Sequence, residues 1–254
     1  MKTQAVLPEI DRDIDANVIA TVQKLLDSRR RAIGRAAPRA QYAAEIAFCQ
    51  KLDAAVQHHL NQLAARAYGG KHPKHWLWKS HKQFIMDRVD AGQRVLDVGC
   101  GCSAYLQWMA EKGCEVTGCD SNPKRIEEAR ATMAHANLVF EVRDVVNEPP
   151  AMPFDVVICS HVIEHIDDPV PLLRALKRNG KKLIVAVPPH DSRWQKVMYR
   201  DLGLAWKDDE DHRREYTPDL LRQQLVDAGW RVTEMHAGID IKAVAVHGGE
   251  KKRD

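Results

Sequence analysis

The stretch from Arg94 to Trp108, RVLDVGCGCSAYLQW, constrains this chain more than any other: a short apolar strand ends in an acid, breaks at Gly99-Cys100-Gly101 and restarts as a helix. A glycine turn at the carboxyl end of a strand lets a ligand come close to the backbone. Gly99, Gly101 and Ala104 fit the G-x-G-x-x-G/A spacing that serves a pyrophosphate. Asp97 speaks against that ligand, because an acid just before the first glycine repels a pyrophosphate and favours a cationic nucleotide. Asp97, Gly99, Cys100 and Gly101 are therefore expected to hold the nucleotide.

The residues that follow continue the pattern. Glu115 to Asp120, EVTGCD, reads as a second strand ending in an acid, where a carboxylate accepts hydrogen bonds from both ribose hydroxyls. Asp120 is the ribose candidate, with Ser121 beside it. Asn122 to Ala134 is helix-patterned, with Pro123 near its first turn and Ile126, Ala129 and Met133 along one face. A third strand, Leu138 to Val142, leads to Asp144, an acceptor for an adenine amino group, and to Val145, which packs on the ring. Phe154 to Ser160, FDVVICS, is a continuous apolar run suited to a strand covered on both faces, and Ser160 closes the cofactor set. A helix capped among Asp167 and Asp168 runs through Lys177, Asn179-Gly180 stops it, and KKLIVAVPP begins a fifth strand. The alternation predicts an α/β fold around a parallel sheet. S-adenosylmethionine, with its cationic ammonium and sulfonium, is the nucleotide these acids suit.

With VLDVGCG, VTGCD, VRDV, FDVVICSHVIEH and the later HRREYTPDLLRQQLVDAGW, RVTEMHAG and KAVAVHG in view, the chain resembles the class I S-adenosylmethionine-dependent methyltransferases. More narrowly, it is similar to the group related to the ubiquinone and menaquinone biosynthesis enzymes, over roughly Gly92 to Gly248. The resemblance implies a Rossmann-like sheet of seven strands, mostly parallel with the last antiparallel, and a cofactor lying across the carboxyl ends of the first strands. Two positions depart from the family pattern. Ser103 stands where a third glycine is usual, so that bend carries a β-carbon. Arg178-Asn179-Gly180 replaces a proline-glycine-glycine turn that Asn and Gly can make alone.

At 254 residues and 44% hydrophobic content the chain can bury a full core. The acidic start at Asp11, Asp13 and Asp15 and the lack of a long apolar run lead us to expect a soluble cytoplasmic protein. Six cysteines without paired C-x-x-C spacing read as reduced thiols, mostly in the core. Residues 1–90 form an alanine-rich helical extension, expected to hold two or three helices. It carries 15 Lys and Arg against 9 Asp and Glu, while residues 91–254, the methyltransferase domain, carry 23 against 26. A basic extension suits an anionic acceptor; solvated helix faces explain it equally well.

KHPKHWLWKSHKQF, Lys71 to Phe84, places His72, His75 and Trp76 among lysines ahead of the domain, resembling the lead-in of some bacterial methyltransferases of surface polysaccharide synthesis. Aromatics beside cations stack on a sugar or base. The insertion at residues 188–217 offers Arg213 and Tyr216 as further acceptor contacts. Methyl transfer is an in-line displacement that needs position and desolvation, and a hydroxyl acceptor adds the need for a general base. His161, at the end of the fourth strand, is the first candidate, and His190, with Asp191 to orient it, the second. His161-Val-Ile-Glu164-His165 invites a metal reading too. Glu164 and His165 match two ligands of a metal-assisted ubiquinone O-methyltransferase branch, but His161 replaces that branch's first acid. Here we expect Glu164 and His165 to meet the acceptor without a metal.

The sequence thus predicts a methyltransferase acting on a small-molecule or glycan-related acceptor, with O-methylation ahead of N or C. An RNA methyltransferase and a non-catalytic partner subunit that binds the cofactor are the alternatives.

Overall fold

The computed structural model describes residues 12–69, 74–145, 147, 148, 150, 152–190, 194–207, 209 and 211–247. Its contacts divide the chain into two units, Met1–Gly70 and Lys71–Asp254, so the division falls well before residue 90 and the third helix belongs with the sheet.

The first unit is a pair of helices, α1 (Arg12–Ala32) and α2 (Arg39–Ala67), separated at the Gly34 to Pro38 break. Arg29 ties them together: it donates to both Glu45 carboxylate oxygens, at 2.8 Å for the shorter bonds, and its guanidinium lies 3.9 Å from the Phe48 ring centre. The Tyr42 hydroxyl donates to the Gly34 carbonyl at 2.9 Å and closes the turn. Apolar residues stay exposed on both helices, among them Val18, Val22 and Leu25 on α1 and Val56, Leu60 and Leu63 on α2.

The second unit opens with α3 (Lys74–Met86) and then alternates β1 (Arg94–Val98), α4 (Tyr105–Glu111), β2 (Glu115–Asp120), α5 (Pro123–Thr132), β3 (Leu138–Val142) and β4 (Phe154–Ser160). It continues through α6 (Val170–Asn179), β5 (Gly180–Val187), α7 (Trp194–Asp201), α8 (Pro218–Asp227), β6 (Trp230–Ala237) and β7 (Ile241–His247). The seven strands lie in the order β3-β2-β1-β4-β5-β7-β6; β1 to β5 pair in parallel, and β7 runs antiparallel to both its neighbours. This is the sheet that the resemblance implied.

Strand alternation sorts the core into two layers. Val95, Val116, Val156 and Ile158 turn toward α3, α4 and α5, where Ile85, Leu106, Met109 and Ile126 are buried. Leu96, Val98, Val157 and Cys159 turn toward α6 and α8, where Leu173, Leu176, Leu221 and Leu225 are buried. Trp230 fills the second layer and donates its indole N–H to the Leu173 carbonyl at 2.8 Å. Asn122 caps α5 by accepting from the Lys124 N–H, and Thr217 caps α8 by accepting from Leu220, each with proline at the first helical position. The helix predicted from Asp167 or Asp168 starts at Val170, after Pro169; only Asp168 accepts from it, at 3.2 Å. Among the described residues all six cysteines are free thiols, four of them buried. No described helix is long and apolar enough to cross a membrane.

Candidate cofactor and acceptor site

A cleft of about 460 Å³ opens where β1, β2 and β4 end. Gly99, Asp120, Ser121, Asp144, Val145, His161 and His165, all expected at the site, line it together with Val98, Arg125, Arg143, Val162, Ile166, Leu172, Asp209 and Asp211. Gly99 has a φ of +67°, and a β-carbon there would lie 2.5 Å from a Val162 methyl, so both backbone and packing demand glycine. The Gly101 N–H donates to one Asp120 carboxylate oxygen at 3.3 Å and the Asn122 N–H to the other at 2.8 Å. A carboxylate has about four acceptor sites. These bonds therefore fix Asp120 at the mouth of β2 and leave it capacity for ribose hydroxyls. Val145, expected to pack on an adenine ring, is buried beside exposed Asp144.

Several expected contacts lie elsewhere. Asp97 does not reach the cleft: its side chain turns toward α4, is 1% exposed and accepts the Tyr105 hydroxyl at 2.9 Å. Burial pushes its carboxyl up to about 8, against the lowering effect of the Tyr105 bond. The negative charge on the cleft comes instead from Asp120, Asp144, Asp209 and Asp211. The Cys100 thiol is buried and burial raises its pKa, so only the backbone of that turn is near the ligand. The Ser160 hydroxyl sits 3.1 Å from His81 Nε2 and does not line the cleft. Tyr216 is a core residue, 0% exposed, with its hydroxyl donating to Gln224 at 2.9 Å. Arg213 serves through its backbone, donating to the Glu164 carbonyl at 2.7 Å while its side chain is exposed beside Asp167. His190 is off the cleft, with Nε2 against the Arg200 guanidinium and its ring edge-on to Trp206. His72 and Asp191 lie outside the described residues, as do the side chains of His75 and Trp76.

His161 is the unusual residue. It is the one described non-glycine residue with positive φ, +55°, immediately after β4, and its amide donates to the Ala186 carbonyl at 2.9 Å. A side chain in that backbone region stores strain of about 1–3 kcal/mol and is held by its surroundings. Nδ1 lies 3.3 Å from Glu164 Oε1 and Nε2 lies 3.5 Å from Asp240 Oδ1, in the turn between β6 and β7. Burial disfavours the imidazolium, but Asp240 and Glu164 outweigh it and raise the ring's pKa to about 9. The ring thus presents both nitrogens to carboxylates, which corrects the expectation of a general base with a nitrogen open to the acceptor. Glu164 is completely buried on the short turn Ile163–His165, and His165 meets the His212 ring edge-on at 4.8 Å. His212 Nδ1 is 2.9 Å from Glu215, which faces the buried ammonium of Lys196 at 3.6 Å.

Residues 52–235 match the family described as Methyltransferase domain. The chain belongs to that family. Among curated relatives of this chain, the ubiquinone biosynthesis O-methyltransferase of Xanthomonas euvesicatoria pv. vesicatoria is 35% identical over 125 residues, 45% of this chain and 52% of that protein. That of Pseudomonas aeruginosa PAO1 is 37% identical over 92 residues, 35% of this chain and 40% of the relative. The chain spans about half the length of the curated relatives it matches. The fold is shared with magnesium protoporphyrin IX methyltransferase from Synechocystis PCC 6803 with bound S-adenosylhomocysteine, at 19% identity, TM-score 0.51, 93% of this chain and 100% of that one. It is shared equally with the small RNA methyltransferase HEN1, at 18% identity, TM-score 0.55, 66% of this chain and 25% of that one. The fold therefore leaves what this chain acts on to its own residues.

Two site residues carried too little signal to be read individually. His81 lay in the His- and Lys-rich lead-in as one such side chain among many. Asp240 sits in a turn far along the sequence, where nothing but the tertiary fold brings it to His161.

Proposed function

We propose that this methyltransferase transfers a methyl group from S-adenosylmethionine to a hydroxyl of a small-molecule or glycan-related acceptor seated at the His161 end of the cleft. The observation that carries the reading is one cleft lined by Asp144 with Val145 after β3, Asp120 at the end of β2 and His161 after β4. Asp120 binds the ribose, and Val145 and Asp144 hold the adenine. The bound cofactor supplies a methyl group already activated by its sulfonium. Val162, Ile166 and Leu172 give the cleft apolar walls that exclude water from the displacement. The name of the curated relatives supports transfer to oxygen. Four acids against Arg125 and Arg143 favour an uncharged acceptor over the anionic one expected from the extension.

Calorimetry tests this on the purified protein. S-adenosylhomocysteine should bind in the micromolar range and NADH should not. Asp120→Ala should weaken the sulfur ligand about 10- to 100-fold, because the ribose hydroxyls lose a charged acceptor. His161→Ala should keep cofactor binding and lower methyl transfer to phenolic and sugar hydroxyls. NADH binding in place of S-adenosylhomocysteine would overturn the reading.

A further inference from the structure

Three side chains from distant parts of the sequence converge beside the acceptor end of the cleft. His81 comes from α3, His161 from the turn after β4, and Asp240 from the turn between β6 and β7. His81 Nδ1 lies 3.3 Å from one Asp240 carboxylate oxygen and His161 Nε2 lies 3.5 Å from the other. One nitrogen of each ring and one Asp240 oxygen all lie within 4.8 Å of one another, a spread that small side-chain rotations bring to the roughly 3.3–3.6 Å between ligand atoms on one tetrahedral ion. The far side of each ring is engaged as well. His81 Nε2 is 3.1 Å from Ser160 Oγ, and His161 Nδ1 is 3.3 Å from Glu164 Oε1. A histidine that binds a metal through one nitrogen is typically oriented in this way by an oxygen on the other, which fixes the tautomer and turns the lone pair to the ion.

We infer that His81, His161 and Asp240 form a binding site for a borderline first-row divalent cation, zinc or iron(II), next to the His161 end of the cleft. Two imidazoles and one carboxylate are a donor set suited to such ions. His81 and Asp240 are buried, at 3% and 7% exposure, while His161 lines the cleft, so the site adjoins the cleft through His161. A cation there lowers the pKa of a hydroxyl bound to it. This deepens the methyl-transfer reading and rests on it for that chemical role. The inferred site is distinct from the Glu164–His165 pairing of the resemblance, which groups with His212 in a separate cluster: Glu164 faces the outer nitrogen of His161 and shares no place among the three inferred ligands.

The test uses the full chain, treated with chelator and dialysed, titrated with Zn²⁺ by calorimetry and with Co²⁺ by visible absorption. The wild type should bind one equivalent of Zn²⁺ and show the intense bands of a tetrahedral Co²⁺ site. Asp240→Asn and His81→Gln should each weaken Zn²⁺ about 100-fold or more while still binding S-adenosylhomocysteine as the wild type does. His212→Gln should leave Zn²⁺ affinity unchanged. The site is overturned if a wild type that takes up S-adenosylhomocysteine binds no Zn²⁺, if both triad variants retain it, or if only His212→Gln loses it. Lack of S-adenosylhomocysteine binding removes the methyltransferase reading instead, so the two readings fail separately.

Discussion

At the scale of single residues, the β1 turn shows how one atom decides a position. Gly99 is left-handed and its missing β-carbon is the space taken by a Val162 methyl. Gly99→Ala should lower stability by about 1–3 kcal/mol, read as a drop in Tm, and Val162→Ala in the same chain should recover the packing part but not the backbone part. Asp97 makes a pH prediction. Its folded pKa of about 8 stands above the ordinary 3.8, so between those values the folded state keeps a proton that the unfolded chain has released. Stability therefore falls as pH rises through that window and levels off above it, with a slope of at most about 1.4 kcal/mol per pH unit. Asp97→Asn keeps an acceptor for Tyr105 and should flatten the fall in urea unfolding across a pH series. An unchanged slope would show that Asp97 is ionised in the fold.

At the scale of elements, caps and prolines set where helices begin, and these were legible in sequence. Thr217-Pro218 starts α8, whose Leu221 and Leu225 bury against the sheet. Thr217→Ala should cost about 1 kcal/mol in urea unfolding through the lost bond to the Leu220 N–H. Strand positions were equally legible: β2, β3 and β4 have the bounds that their apolar runs predicted. The insertion was harder. Its length foretold a wall, but Tyr216 entered the core and His190 turned to Trp206 and Arg200, because Pro189 and Tyr216 bridge the chain into the sheet layer. Polar residue type alone gave no hint of that direction.

At the scale of the whole molecule, the two units differ in what holds them. The second has two apolar layers on an open seven-stranded sheet, while α2 of the first buries no side chain. A chain beginning at Lys71 should therefore fold and bind S-adenosylhomocysteine within about threefold of the full protein, since the residues placed at the cofactor all lie in the second unit. Loss of cooperative unfolding in that truncation would contradict it.

The sequence by itself determined the alternation of strands and helices, the glycine turn, and the acids that end β1 and β2, because these depend on local periodicity and on backbone freedom that neighbouring residues report. That Gly99, Asp120, Asp144 and His161 line one cleft was readable for the same reason, since each lies at or just after a strand's carboxyl end, whereas their order across it follows the strand order β3-β2-β1-β4. Which face an end residue takes was settled only in three dimensions. Asp97 went into the α4 layer while Asp120 stayed at the cleft, by the alternation of side chains and the packing of Tyr105. The meeting of His81, His161 and Asp240 joins residues 79 and more apart, and such proximity exists only once the sheet has formed and its turns lie side by side.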